Sequence, residues 1–160
     1  MKTSQRNVLA LVGGLLLSIV SSLFADSADS RLGGMRLLDG FEHQALEGID
    51  SKVGVIQKKK GLKINYEIGT LPKAGMPRMG GQFTDKAKAL PEVDLTWYRE
   101  QTINGQAVHL AKRKDGVLLV SFPQKGINFS AQIDSEEELT DALLMILSYP
   151  TAAKGADSND

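Results

Sequence analysis

The sequence predicts an α+β protein: an antiparallel meander sheet of five to six strands with a C-terminal helix packed on one face. Three observations carry this. Apolar and polar residues alternate strictly in several runs, as in Leu62, Ile64, Tyr66 and Ile68 against Lys63, Asn65 and Glu67, which is the period of a half-buried strand. Turn chemistry separates the runs, most clearly at Asn104-Gly105, the residue pair that a two-residue type I′ hairpin demands. Finally, Ser135 with Glu138 three residues later makes a capping box ahead of an apolar stripe of Leu139, Ala142, Leu143, Ile146 and Leu147, the signature of a helix docked by one face.

Residues 1–25 set the expected location. Lys2 and Arg6 stand in the first seven residues without an acid, and 8–24 is almost wholly apolar, the layout of a secretory signal peptide. Cleavage after Ala25 is preferred over cleavage after Ser22, because the polar run 26–30 then begins the mature chain. The product is expected to be secreted or periplasmic. Retention of the leader as a membrane anchor is the alternative, although its 17-residue run falls short of the roughly 20 apolar residues of a spanning helix. The chain has no cysteine, which excludes disulfides, Cys-ligated zinc, thiol catalysis and a thioether-linked lipid.

Within the mature chain, 26–36 reads as a mobile tail, 37–150 as a single α+β domain and 151–160 as a disordered tail. From 35 to 48 no period is convincing, with Phe41 and Leu46 as anchors to the core. Residues 52–57 alternate, and Lys58-Lys59-Lys60-Gly61 turns them into the run 62–68, with Gly61 supplying a positive φ. The stretch 69–94 reads as a long loop broken by Pro72, Gly75, Pro77, Gly80, Gly81 and Pro91, with a helical turn around 85–90. Strands follow at 96–103 and 106–113. The turn Lys114-Asp115-Gly116 is read as a three-residue loop with Gly116 left-handed, because that register alone unites Leu118, Val120 and Phe122 with Val108 and Leu110 on one face. Trp97 and Ile103 join that apolar face. Pro123 and Gly126 close the strand, and Ile127, Phe129, Ala131 and Ile133 alternate in the next. Pro150 stops the helix near Tyr149.

Charge narrows the partners. The whole chain has 19 basic and 19 acidic residues; loss of Lys2 and Arg6 with the leader leaves a net charge of −2. No bulk attraction to nucleic acid is expected from that balance. The distribution is uneven. Between Lys52 and Lys88 nine basic residues face only Glu67 and Asp85, whereas 134–160 is acidic. Lys58, Lys59, Lys60, Lys73 and Arg78, together with the aromatic Tyr98, are therefore the candidate ligand-binding residues, for an anionic envelope polymer or an acidic protein. Contact with a membrane is expected only if the leader is retained.

One constellation has the residue types of general acid–base chemistry. The Asn104-Gly105 hairpin puts Glu100 opposite His109 and Tyr98 on the same face, away from Trp97. A carboxylate beside an imidazole orients it and favours its charged form; on an open surface the same pair is a weak cross-strand contact. No motif places a nucleophile beside it. Metal-ligand spacing is lacking, since His43 and His109 are far apart and fit no zinc or calcium pattern. Met76 and Met79, spaced M-x-x-M, have the soft thioethers that suit Cu(I), but loop methionines ordinarily dock on apolar surface. Gly80-Gly81 follows no strand and opens no helix, so a phosphate cradle is unsupported. No cofactor is expected. The sequence thus predicts an exported, non-catalytic binding or accessory domain, with a small exported hydrolase or lyase using His109 and Glu100 as the alternative.

Overall fold

The computed structural model describes residues 32–149, apart from Met76 and Arg78. The leader at 1–25 and the tail at 151–160 lie outside the described residues. Among the described residues, seven strands form one antiparallel sheet: β1 (Phe41–Leu46), β2 (Lys52–Lys58), β3 (Lys63–Ile68), β4 (Leu95–Ile103), β5 (Gln106–Arg113), β6 (Val117–Phe122) and β7 (Ile127–Gln132). A single helix, α1 (Glu136–Leu147), follows.

The expected five to six strands are corrected to seven, and β1 is the addition. Its sequence FEHQAL alternates only weakly. Phe41 is buried, His43 and Ala45 are half-buried, and Leu46 falls on the opposite face at 40% exposure. An edge strand with one covered face can fold on such a weak pattern, because its neighbour supplies the ladder.

The single meander is corrected as well. The spatial order is β1-β2-β3-β7-β6-β5-β4. Two meanders, β1–β3 and β4–β7, therefore meet where β3 pairs with β7, with Tyr66 opposite Phe129. The local registers agree with the turn chemistry. Asn104 and Gly105 both have positive φ, Ile103 pairs with Gln106 and Glu100 with His109. Gly116 is left-handed at φ 89°, and Leu110 pairs with Val120, as the three-residue loop requires.

These registers sort the side chains onto two faces. On the inner face Ile56, Ile64, Val108, Val120, Phe122 and Phe129 are all at most 2% exposed. Helix α1 covers them with Ala142, Met145 and Ile146, while Leu139, Leu143 and Leu147 pack at its margins. Met145 lies outside the predicted stripe; Leu144 points outward at 59% exposure. Each fully buried side chain of this size stabilises by about 1.5–3 kcal/mol over its exposed state. Ser135 caps the helix, accepting from the Glu138 N–H at 3.2 Å. The Glu138 carboxylate accepts from the N–H of Asp134 at 2.8 Å, one residue earlier than a standard box. Past the helix, the Tyr149 ring packs tilted against Phe122 and edge-on against Phe129, at 5.5 and 5.8 Å between centroids.

The tail assigned to 26–36 ends sooner than expected. Leu32 is 0% and Met35 3% exposed within the core. The Arg36 N–H also donates to the Ser148 hydroxyl at 2.9 Å, tying this segment to the end of α1.

The stretch 69–94 crosses from β3 in mid-sheet to β4 at the far edge. Its first part is an Ω-type excursion pinched at the neck: Thr70 donates to the Gly81 carbonyl and accepts from the Phe83 N–H, both at 2.9 Å. Gly81 needs its missing side chain there, since a Cβ would sit 2.0 Å from the Asp50 carbonyl oxygen and its φ is +72°. The second part lies flat on the outer face of the sheet. Residues 85–89 make the expected turn, closed by the Ala89 N–H on the Asp85 carbonyl at 3.1 Å. Ala87, at 0% exposure, packs with Ala111 and Leu119 in a small second core. The sheet is thus covered on one face by the helix and on half of the other by this crossover.

Candidate functional site

The outer face is organised by one transverse row of polar residues. Pairing places Glu67 of β3 beside Asn128 of β7, Asn128 beside Ser121 of β6, Ser121 beside His109 of β5, and His109 beside Glu100 of β4. His109, Ser121 and Asn128 are buried at 8%, 0% and 5% exposure. Buried polar groups must find partners, and the crossover supplies them. The Asn128 side-chain amide donates to the Thr84 carbonyl at 2.9 Å, and its oxygen accepts from the Lys86 N–H at 3.2 Å. Ser121 donates to that same oxygen at 2.6 Å and accepts from the Ala87 N–H at 3.2 Å. At the ends of the row the crossover uses charge: Lys86 pairs with Glu67, and Lys88 pairs with Glu100 at 3.0 Å.

His109 sits inside this arrangement. Its Nδ1 is 2.5 Å from Asp85 Oδ2; the carboxylate can only accept, so Nδ1 carries the hydrogen. Asp85 is itself fixed by the Lys88 N–H on its other oxygen at 3.0 Å. The predicted partner Glu100 is opposite His109 as expected, but its oxygen stands 3.9 Å from Nε2. That oxygen instead accepts from Tyr98 at 2.7 Å and from Lys88 at 3.0 Å. These donors, Tyr98 first, hold the Glu100 carboxyl below its ordinary range. Burial, reinforced by the Glu100 carboxylate, raises the Tyr98 phenol. The Tyr98 and His109 rings lie 6.3 Å apart. The group is closed upon itself and upon the crossover.

The other predicted residues are dispersed. Lys58 lies at the end of β2, paired with Asp141 of α1 at 3.0 Å and over the Phe41 ring at 4.7 Å. Lys59 and Lys60 are exposed in the following turn, and Lys73 is exposed in the Ω excursion. Tyr98 is on the outer face near the β4 edge, away from that turn. Arg78 and Met76 fall outside the described residues, and Met79 is 70% exposed. The acidic start of α1 and the basic β2–β3 turn are neighbours, which accounts for part of the charge asymmetry of the sequence. No group of three or more His, Asp or Glu among the described residues is placed to hold a metal ion.

Where the crossover stops, the outer face opens. A cleft of about 230 Å³ is lined by Leu46 and Val53, by the Lys86–Glu67 pair, and by Asn65, Asn128 and Ser130. Asn65 of β3 and Ser130 of β7 are directly opposite each other. Neither side chain has a hydrogen-bond partner among the described residues. Asp85, Ser121, Asn128, Asn65 and Ser130 are absent from the residues that the sequence predicted for a site. Ser121 alone had a usable signal, since the three-residue loop register already puts it beside His109.

No family model matches this chain, and neither a curated protein nor a solved structure matches it. No helix of the described residues is long and apolar enough to cross a membrane.

Proposed function

We propose that the protein is an exported, non-catalytic binding or accessory domain that meets its partner on the open half of the outer sheet face. The observation that carries this reading is the cleft beside the crossover, where Asn65 and Ser130 present polar groups without a hydrogen-bond partner among the described residues, between apolar Leu46 and Val53 and a half-exposed ion pair. A small number of convergent polar groups on a largely preformed apolar surface is what a ligand site requires. Export rests on the basic start and apolar run of residues 1–25. The exposed Lys59, Lys60 and Lys73, unpaired among the described residues, favour an anionic envelope polymer or an acidic protein as the partner. The hydrolase or lyase alternative has one observation in its favour, the Asp85–His109 hydrogen bond. However, the imidazole is covered by the crossover, and His109 does not line the cleft.

The test is capture of the mature protein's partners from its own envelope extract, compared across two variants. Ser130→Tyr, which fills the cleft, is expected to abolish capture. Replacement of Lys58, Lys59 and Lys60 together by Ser is expected to weaken it, more at low salt than at high salt, since screening already removes such attraction at about 1 M. Undiminished capture by Ser130→Tyr would overturn the cleft as the binding face.

A further inference from the structure

The crossover shows what kind of group this face holds. Its backbone lies across the strands, and side chains of the sheet bind its main chain: Asn128 takes the Thr84 carbonyl and the Lys86 N–H, and Ser121 takes the Ala87 N–H. One amide and one hydroxyl on adjacent strands, β7 and β6, thus satisfy main-chain groups of the crossover as it enters the 85–89 turn.

The same pair of residue types recurs one row along. Asn65 and Ser130 are opposite each other on β3 and β7, two residues from Glu67 and Asn128 on their respective strands, a displacement of about 7 Å along the sheet. Here no crossover covers them. Asn65 is exposed, Ser130 is half-exposed, and both line the cleft. A side-chain amide offers a donor and an acceptor together, and a hydroxyl can serve as either, so the pair matches the C=O and N–H of a peptide group. The cleft is also continuous with the interface between crossover and sheet, because Lys86 and Asn128 belong to both. Its one cation and one anion, Lys86 and Glu67, are already paired, which leaves the site neutral and suits an uncharged main chain. Leu46 and Val53 provide apolar contact for one side chain of the incoming segment.

We infer that the cleft binds a polypeptide segment of a partner protein, laid alongside the crossover and held through its main chain by Asn65 and Ser130. This rests on the binding reading above and assigns its ligand class.

The test uses the whole chain and a phage-displayed library of random dodecapeptides. Peptides should be enriched on the parent and not on the Asn65→Ala, Ser130→Ala double variant, which should keep the parent's melting temperature because neither side chain is buried. An enriched peptide should shift the amide NMR signals of Asn65, Lys86 and Ser130. Methylation of single backbone nitrogens of that peptide should weaken its binding about tenfold at the contacted positions, the scale of one lost hydrogen bond with its partner left unpaired. Equal enrichment on the double variant, or indifference to backbone methylation, would overturn the inference. A panel of neutral and anionic oligosaccharides is the second arm. Saccharides shifting the cleft signals where no peptide does would overturn the polypeptide assignment and leave the binding reading standing. Silence of the cleft toward both would overturn both.

Discussion

Asn128 shows how much one side chain can hold. Its amide joins Ser121, the Thr84 carbonyl and the Lys86 N–H while being 5% exposed. Removing it leaves buried donors and acceptors unpaired, so Asn128→Ala should cost about 1–3 kcal/mol. Asn65→Ala, on a free surface, should stay within about 0.5 kcal/mol. Urea unfolding of the two variants measures this, and equal effects would mean that the row does not anchor the crossover. Glu100 and Tyr98 make a second residue-scale prediction. The Glu100 carboxyl is held low by Tyr98 and then Lys88, so its folded pKa lies below the unfolded one. Its contribution to stability is present above about pH 4.3 and is lost as pH falls through the folded value. Glu100→Gln should therefore unfold with a shallower acid dependence than the parent. The raised Tyr98 phenol works at the other end: its contribution is complete below about pH 10 and disappears above it as the unfolded chain ionises. Tyr98→Phe should flatten the alkaline limb of the same denaturation series.

At the scale of elements, the helix supplies the sharpest contrast. Met145 is 0% exposed and its sequence neighbour Leu144 is 59% exposed. Met145→Ala should cost about 2–5 kcal/mol, and Leu144→Ala under about 0.5 kcal/mol. Calorimetric melting of the pair checks the docked face. The predicted stripe included the neighbouring positions but missed Met145, because a 12-residue helix offers several apolar arcs and only tertiary packing chooses among them. The hairpins were legible because their information is local: Asn104-Gly105 and Gly116 dictate a turn, and the turn dictates the pairing. The β3–β7 junction carries no such signal. Ile64 and Ala131 are partners across most of the domain, and alternation alone gives a strand two faces without giving it a neighbour. The site divides the same way. Glu100 beside His109 followed from a turn, whereas Asp85 reaches His109 from a segment whose path over the sheet no periodicity describes.

For the whole molecule, the arrangement is a sheet between a helix and its own connecting segment. That accounts for a loop whose length was out of proportion for a small domain: half of it is a second covering layer. It also leaves the cleft along β3 and β7 outside the covering layer. On the proposal that the chain is exported, the product should weigh less than the full chain by residues 1–22 or 1–25. Mass spectrometry of the secreted or periplasmic fraction reads this directly, and a full-length chain retained in the membrane would instead favour the anchored form.

The transverse row has a consequence for how the chain avoids misfolding. Side chains alternate across a strand, so a one-residue slip of β5, β6 or β7 would drive His109, Ser121 or Asn128 into the aliphatic layer beneath α1. The crossover would then find no partner for the main-chain groups of Thr84, Lys86 and Ala87. Hairpins that form quickly and locally are thereby proofread by a segment that can settle only on a sheet already in register.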